Sequence, residues 1–452
     1  MRSHLVPVAC LLVLGIAGSL TLSLIRGQEI KPPVPPAPRP GASVTAPVVA
    51  PGPPPLTVTV PGRSASSTRP AIDLARLEPL HRQMYLSARQ AADWLSGMNG
   101  RKGLFDQGLL PAFGTSLEGD HALRQAGAAF ALARAARFLH DDQHAARATH
   151  AILSLLEDTV VDPPGSDVRH SVLPSTVVNR LGMAALLVLA IHELPAPSDE
   201  LLTRADQLCN YIRRQQQPDG SFRLNDTAIP ADLDPAAVDQ YPGQALYALM
   251  RSQKRRPATW KIEMVRKALP YYRKHWHEHK DRDFVCWQSA ACAEAYLLTK
   301  EKPFADAVLE MNDWLCGLQY EQLDPHHPRW LGGFMACVEG RVTETPPDIG
   351  SAACAVSLAE ACRIAAQLLP RPDVTRHERY SAALERCLQF LTTLQYAEAD
   401  TQHFADWYRP RLVGGFYASH QDGTLRIDFT QQALSALVQY LEHVAKVGQP
   451  RP

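Results

Sequence analysis

Gln125-Ala126-Gly127-Ala128-Ala129-Phe130-Ala131-Leu132-Ala133 is a stretch with no polar face beyond its first residue, built almost wholly from small side chains. A helix that is apolar nearly all round is buried on every side, and side chains this small let neighbouring backbones crowd together. The same texture returns in Gly182-Met183-Ala184-Ala185-Leu186-Leu187, Ser289-Ala290-Ala291-Cys292-Ala293 and Ser351-Ala352-Ala353-Cys354-Ala355. Between these stretches lie segments with one charged face, such as Ser198–Gln217 and Thr375–Gln395, the pattern of helices at a surface.

Working outward at helical spacing yields twelve segments: 77–97, 120–140, 143–158, 174–193, 198–217, 237–253, 257–278, 283–299, 303–319, 349–368, 374–396 and 428–446. Stretches rich in β-formers are absent from this reading. Pro174, Pro257 and Pro303 fall near helix starts, where a missing N–H costs least, and Ser198 is placed to cap the fifth helix. The Ala- and Gly-rich texture belongs to the even segments and the charged face to the odd ones. The expected fold is therefore all-α, an (α/α)6 toroid of twelve helices with the even helices as an inner ring. Links from even to odd segments are short; those from odd to even are long, except 279–282. Long loops in a compact domain are usually functional, and here they gather on one rim with the inner helix N-termini.

A turn recurs four times. Gln216-Gln217-Pro218-Asp219-Gly220-Ser221-Phe222 ends the fifth helix, and Asn99 to Phe105 ends the first with the same Gly-x-Phe offset. Gly332-Gly333-Phe334 and Gly414-Gly415-Phe416 follow Gln319-Tyr320 and Gln395-Tyr396 after longer insertions. Glycine permits the turn, and the aromatic packs back onto the barrel. This Gln-x-x-x-Gly-x-Phe turn resembles the repeat of the terpenoid cyclase and protein prenyltransferase toroid superfamily. The chain from residue 71 onward resembles squalene-cyclase-like bacterial toroids, and its layout is similar to the N-acylglucosamine 2-epimerase and unsaturated glucuronyl hydrolase toroids. Toroid sequences of this kind often carry histidine where this chain has Gln125 and Gln432, which on this resemblance points to binding without turnover.

The N-terminus differs from the rest. Leu5–Ile25 runs uncharged for 21 residues between Arg2 and Arg26, long enough to cross a bilayer. Residues 1–26 are expected to be a signal anchor, or a signal peptide cleaved near Ala17-Gly18-Ser19. Either places the remainder outside the cytoplasm, membrane-anchored in the first case and secreted or periplasmic in the second. Residues 27–70 hold 13 prolines and read as a disordered, semi-stiff linker before the toroid of 71–452.

Composition narrows the chemistry. Acidic and basic residues balance at 46 each, without the basic stripe that nucleic-acid binding needs. Nine scattered cysteines lack metal-type spacing, and a disulfide framework is not expected in so large a core. There is no Asp-x-Asp-Asp cyclase acid, P-loop, dinucleotide fingerprint, His-Glu-x-x-His or Gly-x-Ser-x-Gly. No cofactor and no metal is expected. His275-Trp276-His277-Glu278-His279 is the densest group of ligand-type residues, but a basic helix C-terminus accounts for it.

The rim collects better material: Asp120, His121 and Arg124; Asn179 and Arg180; Asp239, Gln240 and Tyr241; Asp283, Trp287 and Gln288; Asp348; Arg426, Asp428 and Gln431. An acid at a helix start is ordinarily a cap, so the convergence carries the argument and no single residue does. Arg124, Arg180 and Arg426 suit bidentate recognition of carboxylate or sulfate; Tyr241, Trp287 and Phe416 suit sugar faces. Asp428 or Asp120 would serve as general acid or base, with His121 as an alternative acid. The expected ligand is an acidic saccharide or another small anion, processed by a hydrolase, lyase or epimerase. A non-catalytic scaffold or ligand-binding module, and an isoprenoid or lipid enzyme with an altered acid motif, are the alternatives.

Overall fold

The computed structural model describes residues 72–174, 177–224, 237–338 and 340–448, all within one compact unit, Arg69–Pro452. Among them are twelve α-helices: α1 (Pro79–Met98), α2 (Ala122–Leu139), α3 (Asp142–Glu157), α4 (Arg180–Glu193), α5 (Asp199–Gln215), α6 (Ala237–Arg255), α7 (Thr259–Glu278), α8 (Arg282–Thr299), α9 (Lys302–Cys316), α10 (Ser351–Gln367), α11 (Val374–Thr392) and α12 (Ile427–Gln439). The even helices pack on one another in a closed cycle, α2 on α4, then α6, α8, α10, α12 and back to α2. Each has most of its residues in the core: α10 buries every residue from Ser351 to Cys362, and α4 every residue from Leu181 to Glu193. The odd helices bury one face only, as α5 does with Leu201, Ala205, Leu208, Cys209 and Ile212. Ser198 caps α5 by accepting from Leu201 N at 3.2 Å. Pro174 lies six residues ahead of α4, in the preceding loop, and so does not open that helix.

The turn repeat stitches hairpin to hairpin. Asn99, Gln216, Gln319 and Gln395 each form an isolated antiparallel bridge with the phenylalanine of their turn, Phe105, Phe222, Phe334 and Phe416. Gln395 Nε2 donates to Gly414 O at 2.9 Å and to Ser87 O on α1 at 3.0 Å. Gln319 does the same to Gly332 O and to Ala383 O on α11, and Gln216 to Gly220 O and Met264 O on α7. The glycine is required twice over. Gly332 has φ +87°, and a Cβ there would lie 2.2 Å from Arg386 O of the next odd helix. Any side chain would combine strained backbone with a backbone clash.

Among the described residues, eight short strands, unforeseen in the sequence, sit in the odd-to-even loops. At two to five residues they are too short to display a period-2 pattern. Four of them, β1 (Gly108–Leu110), β2 (Thr115–Ser116), β7 (Tyr417–Ser419) and β8 (Asp422–Arg426), form one sheet in the order β2-β1-β8-β7. Through the pairing of Gly108 with Arg426 and Leu109 with Leu425, the first long loop closes on the last.

A second feature missed by the sequence reading is a belt of buried charge near the C-terminal ends of the even helices. Arg134 and Arg137 of α2 meet Glu193 of α4 at 3.3 and 3.0 Å. Arg251 of α6 joins Glu193 at 2.7 Å to Glu294 of α8 at 3.3 Å. Arg363 of α10 contacts Glu294 at 3.3 Å and Glu360 at 2.7 Å. Gln439 of α12 closes the cycle: with its amide oriented to satisfy both neighbours, it accepts from Arg134 Nη1 at 2.8 Å and donates to Val356 O at 3.2 Å. The arginines hold the Glu193 carboxyl well below its ordinary range against the opposing pull of burial, and Glu294 is likewise held at about 2.

The expectation of a membrane-spanning helix is corrected: among the described residues no helix is long and apolar enough to cross a membrane. The stretch Leu5–Ile25 on which the anchor rested, like the proposed linker 27–70, lies outside the described residues. The eight described cysteines are all free and buried.

Candidate functional site

A cavity of about 310 Å³ opens among the N-terminal ends of the even helices. Six of the nine residues to which the sequence assigned a role line it: His121 and Arg124 from the start of α2, Tyr241 from α6, Trp287 from α8, and Arg426 and Asp428 from the start of α12. Asp283, at the start of α8, completes the mouth together with Gln240.

Arg426 ends β8 and is the residue before α12. Strand pairing with β1 fixes its backbone, and its guanidinium lies over the Phe429 ring at 4.2 Å to the centroid. From there Nε donates to Asp428 Oδ1 at 3.0 Å, with Nη2 on the other carboxylate oxygen. Arg124 Nε approaches Asp428 Oδ2 at 3.6 Å from the neighbouring helix α2. Two guanidiniums thus face one carboxylate. His121 stands beside them, its pKa lowered by partial burial and then by Arg124, which favours its neutral imidazole over the protonated form.

Asp283 is different. Its side chain is accessible to solvent, but it sits in a concave wall where protein atoms displace most of the surrounding water. The carboxyl is pushed above its ordinary range, by burial first, with Asp239 and Asp348 adding to the shift against Arg282 and the Gln240 amide. Gln240 Nε2 donates to Asp283 Oδ2 at 3.3 Å. The cavity therefore holds an arginine-clamped carboxylate and a carboxyl biased towards its protonated form, and such divergent environments are how acid and base roles separate.

Tyr241 reaches the cavity because Gly182 of α4 leaves room for it; a Cβ at Gly182 would meet the Tyr241 ring at 2.5 Å. Deeper in, the wall turns from apolar (Phe130, Leu186, Ala290, Val356) to polar at Gln244, Tyr247, Ser435, Gln439 and Arg134.

The other three of those nine lie elsewhere. Asp120 accepts from the amides of Gln107 and Gln125, both at 3.1 Å, and is absent from the cavity lining. Arg180 donates from Nε to Leu173 O at 3.0 Å, away from the lining. Phe416 is fully buried in its turn, with its N–H donating to Thr430 Oγ1 at 3.0 Å. Each has a structural task that accounts for it: helix-entry bonding, loop fastening and core packing. Gln125 is likewise a fastener, accepting from Phe105 N at 2.7 Å and donating to Phe105 O at 2.8 Å, whereas Gln432 faces the cavity. In the histidine-rich stretch, His275 Nε2 meets Asp239 at 3.1 Å and His277 meets Glu310 at 3.4 Å. Among the described residues no group of three or more ligand-type side chains is arranged to hold a metal ion.

The polar floor was legible only as an oddity. Arg134 interrupts Ala131-Leu132-Ala133 and Ala135-Ala136, Gln244 follows Pro242-Gly243, and Ser435 splits Ala433-Leu434 from Ala436-Leu437. A polar residue set between small and apolar neighbours in an even helix was the available signal.

No family model matches the chain, and no characterised protein matches it in sequence. Solved structures do match in fold. An unsaturated glucuronyl hydrolase specific for heparin superposes with a TM-score of 0.54 at 13% identity, over 81% of this chain and 98% of that one. The cellobiose 2-epimerase of Bacillus thermoamylovorans B4167 gives 0.57 at 11% identity, over 78% and 96%. The α-1,6-mannanase GH76A of Salegentibacter sp. HEL1_6 gives 0.53 at 9% identity, over 79% and 98%. Identities this low establish the fold alone: an all-α toroid resembling several glycan-processing toroid enzymes.

Proposed function

We propose that the domain binds and processes an acidic saccharide by acid–base chemistry in this cavity, with the Ala- and Gly-rich even helices as the inner ring that surrounds it. The observation that carries the reading is the pair of guanidiniums, Arg124 and Arg426, around the single carboxylate of Asp428, in a cavity also lined by Tyr241 and Trp287. A ligand carboxylate or sulfate entering here meets positive charge and the N-terminal ends of helices, both of which favour anions. A volume near 310 Å³ stands at the lower end of the usual range for small-ligand sites, about 300–1,000 Å³.

Asp283 is assigned as the general acid, delivering its proton to the departing or ring oxygen of the sugar. Asp428 is assigned as the base, set in place by its arginines. Hydrolysis, elimination and epimerisation of a uronic acid all start from such a proton transfer. The charged, hydrogen-bonding floor does not suit an isoprenoid tail. Gln432 on the cavity wall, where toroids of this kind often carry histidine, supports a second reading in which the site binds without turnover.

Titration with oligogalacturonic acids tests the proposal. Arg426→Ala should weaken binding by about 1.5–3 kcal/mol, the range for a hydrogen bond to a charged group. Wild-type affinity should fall as salt is raised, since part of the attraction is screened. Equal affinity for neutral cello-oligosaccharides, or an Arg426→Ala protein that binds as well as wild type, would remove the acidic saccharide from consideration.

A further inference from the structure

We infer that the cavity is a blind subsite for one terminal ring, so that the protein engages the ends of saccharide chains and not their interiors. The inference rests on the saccharide reading above and adds to it a substrate class and the residues that select it.

Depth comes first. The lining contributed by α2 runs from Arg124 to Arg134, roughly 15 Å along the axis at about 1.5 Å per residue. The far end is shut. Arg134, Tyr247 and Gln439 form the floor and are only 2 to 3% exposed. Behind them Glu193, Glu294 and Glu360 are at most 1% exposed, bound into the ionic belt that crosses all the even helices. A channel open at both ends would leave these groups wet. The pocket therefore has a single mouth, and its volume is too small for a chain threading through.

The floor is also built to hold something polar. Gln244 is 5% exposed and Ser435 is 3% exposed, and both line the cavity. Gln244 Oε1 and Ser435 Oγ have no hydrogen-bond partner among the described residues. Buried polar atoms are ordinarily paired, because an unpaired one loses its hydration without return. An acceptor on α6 and a hydroxyl on α12, facing each other across the cycle of even helices, with the Tyr247 and Arg134 groups already bonded to each other at 2.7 Å, suit the hydroxyls of a sugar ring held between them. The cationic mouth then takes the acidic substituent of the same ring or of the next one. A polymer passing across the mouth would leave Gln244 and Ser435 unused; an end inserted into the pocket uses both.

Calorimetric titration with oligogalacturonic acids of increasing length, from the trimer to a long polymer, tests this. Stoichiometry should stay at one protein per chain whatever the length, with affinity per chain nearly constant. Gln244→Leu and Ser435→Ala should each weaken binding of the trimer about tenfold, the equivalent of one lost hydrogen bond, while the thermal unfolding midpoint stays at the wild-type value. Protein bound per chain that rises with length, or affinity unchanged in both variants because water alone serves these atoms, overturns the blind subsite and leaves the saccharide reading standing. No binding of any chain length to the wild type overturns the saccharide reading, and this inference with it.

Discussion

Replacing Glu193 by alanine should lower the free energy of unfolding by about 3–5 kcal/mol, the cost of leaving buried charge without its partner. Glu193 is 1% exposed and holds three guanidiniums, those of Arg134, Arg137 and Arg251. Removing it leaves the buried Arg134 without its carboxylate and leaves Arg137 and Arg251 with one carboxylate each, Glu442 and Glu294. The exposed pair Arg266–Glu301 is the natural control, and Glu301→Ala should cost about 1 kcal/mol or less. Urea unfolding of the two variants reads both numbers. A Glu193→Ala loss no larger than that of the control would mean the belt contributes nothing specific.

The belt also sets a pH dependence. Glu193 and Glu294 have folded-state pKa values below their unfolded ones, so their contribution is fully present above the unfolded value of about 4.3 and is lost as pH falls. The loss for Glu294 runs down towards its folded value of about 2. Glu360 works in the opposite sense, since burial pushes its carboxyl up and protonation there favours the folded state. Two depressed carboxyls against one raised one leave a net loss, so the wild-type midpoint should drop between about pH 4.3 and pH 2. Glu193→Ala should show a shallower drop over the same interval.

Asp283→Asn should reduce turnover of a uronic-acid oligosaccharide by about 10²- to 10⁴-fold, the usual contribution of a positioned acid. Affinity should change little, because asparagine keeps the shape and can still meet the Gln240 amide. The wild-type rate should also fall as pH rises through the Asp283 value, which burial and the nearby Asp239 and Asp348 carboxylates hold above the ordinary aspartate range. Steady-state kinetics across pH on both proteins checks this. Wild-type turnover in Asp283→Asn would return the acid role to another group, or leave the site as one that only binds.

The fold was legible because its signals are long. Twelve helical periods, alternating in texture and separated by loops of alternating length, survive boundary errors of a few residues. The start of α4 shows the limit: Pro174 looks like a helix opener, but its carbonyl accepts from Val177 N and Val178 N in a turn ahead of Arg180. The strand pairing of Gly108 with Arg426 spans more than 300 residues, and no local pattern announces it.

The site was half legible. Residues at even-helix starts share one mouth, which is why His121, Arg124, Tyr241, Trp287, Arg426 and Asp428 came together. Helix position alone does not settle which way a side chain turns, and Asp120, Arg180 and Phe416 point to fastening or packing. The polar floor was hidden because Arg134, Gln244 and Ser435 lie about two or more turns into their helices, among small and apolar neighbours.

A crystal structure of the domain soaked with trigalacturonic acid tests the central claim most directly. The account predicts one terminal ring inside the cavity, its hydroxyls on Gln244 and Ser435, a ring face against Tyr241 or Trp287, and a carboxylate on Arg124 and Arg426. Density for the sugar only in the shallow depression around His327, Trp330 and His420, with the cavity holding nothing but water, would contradict it.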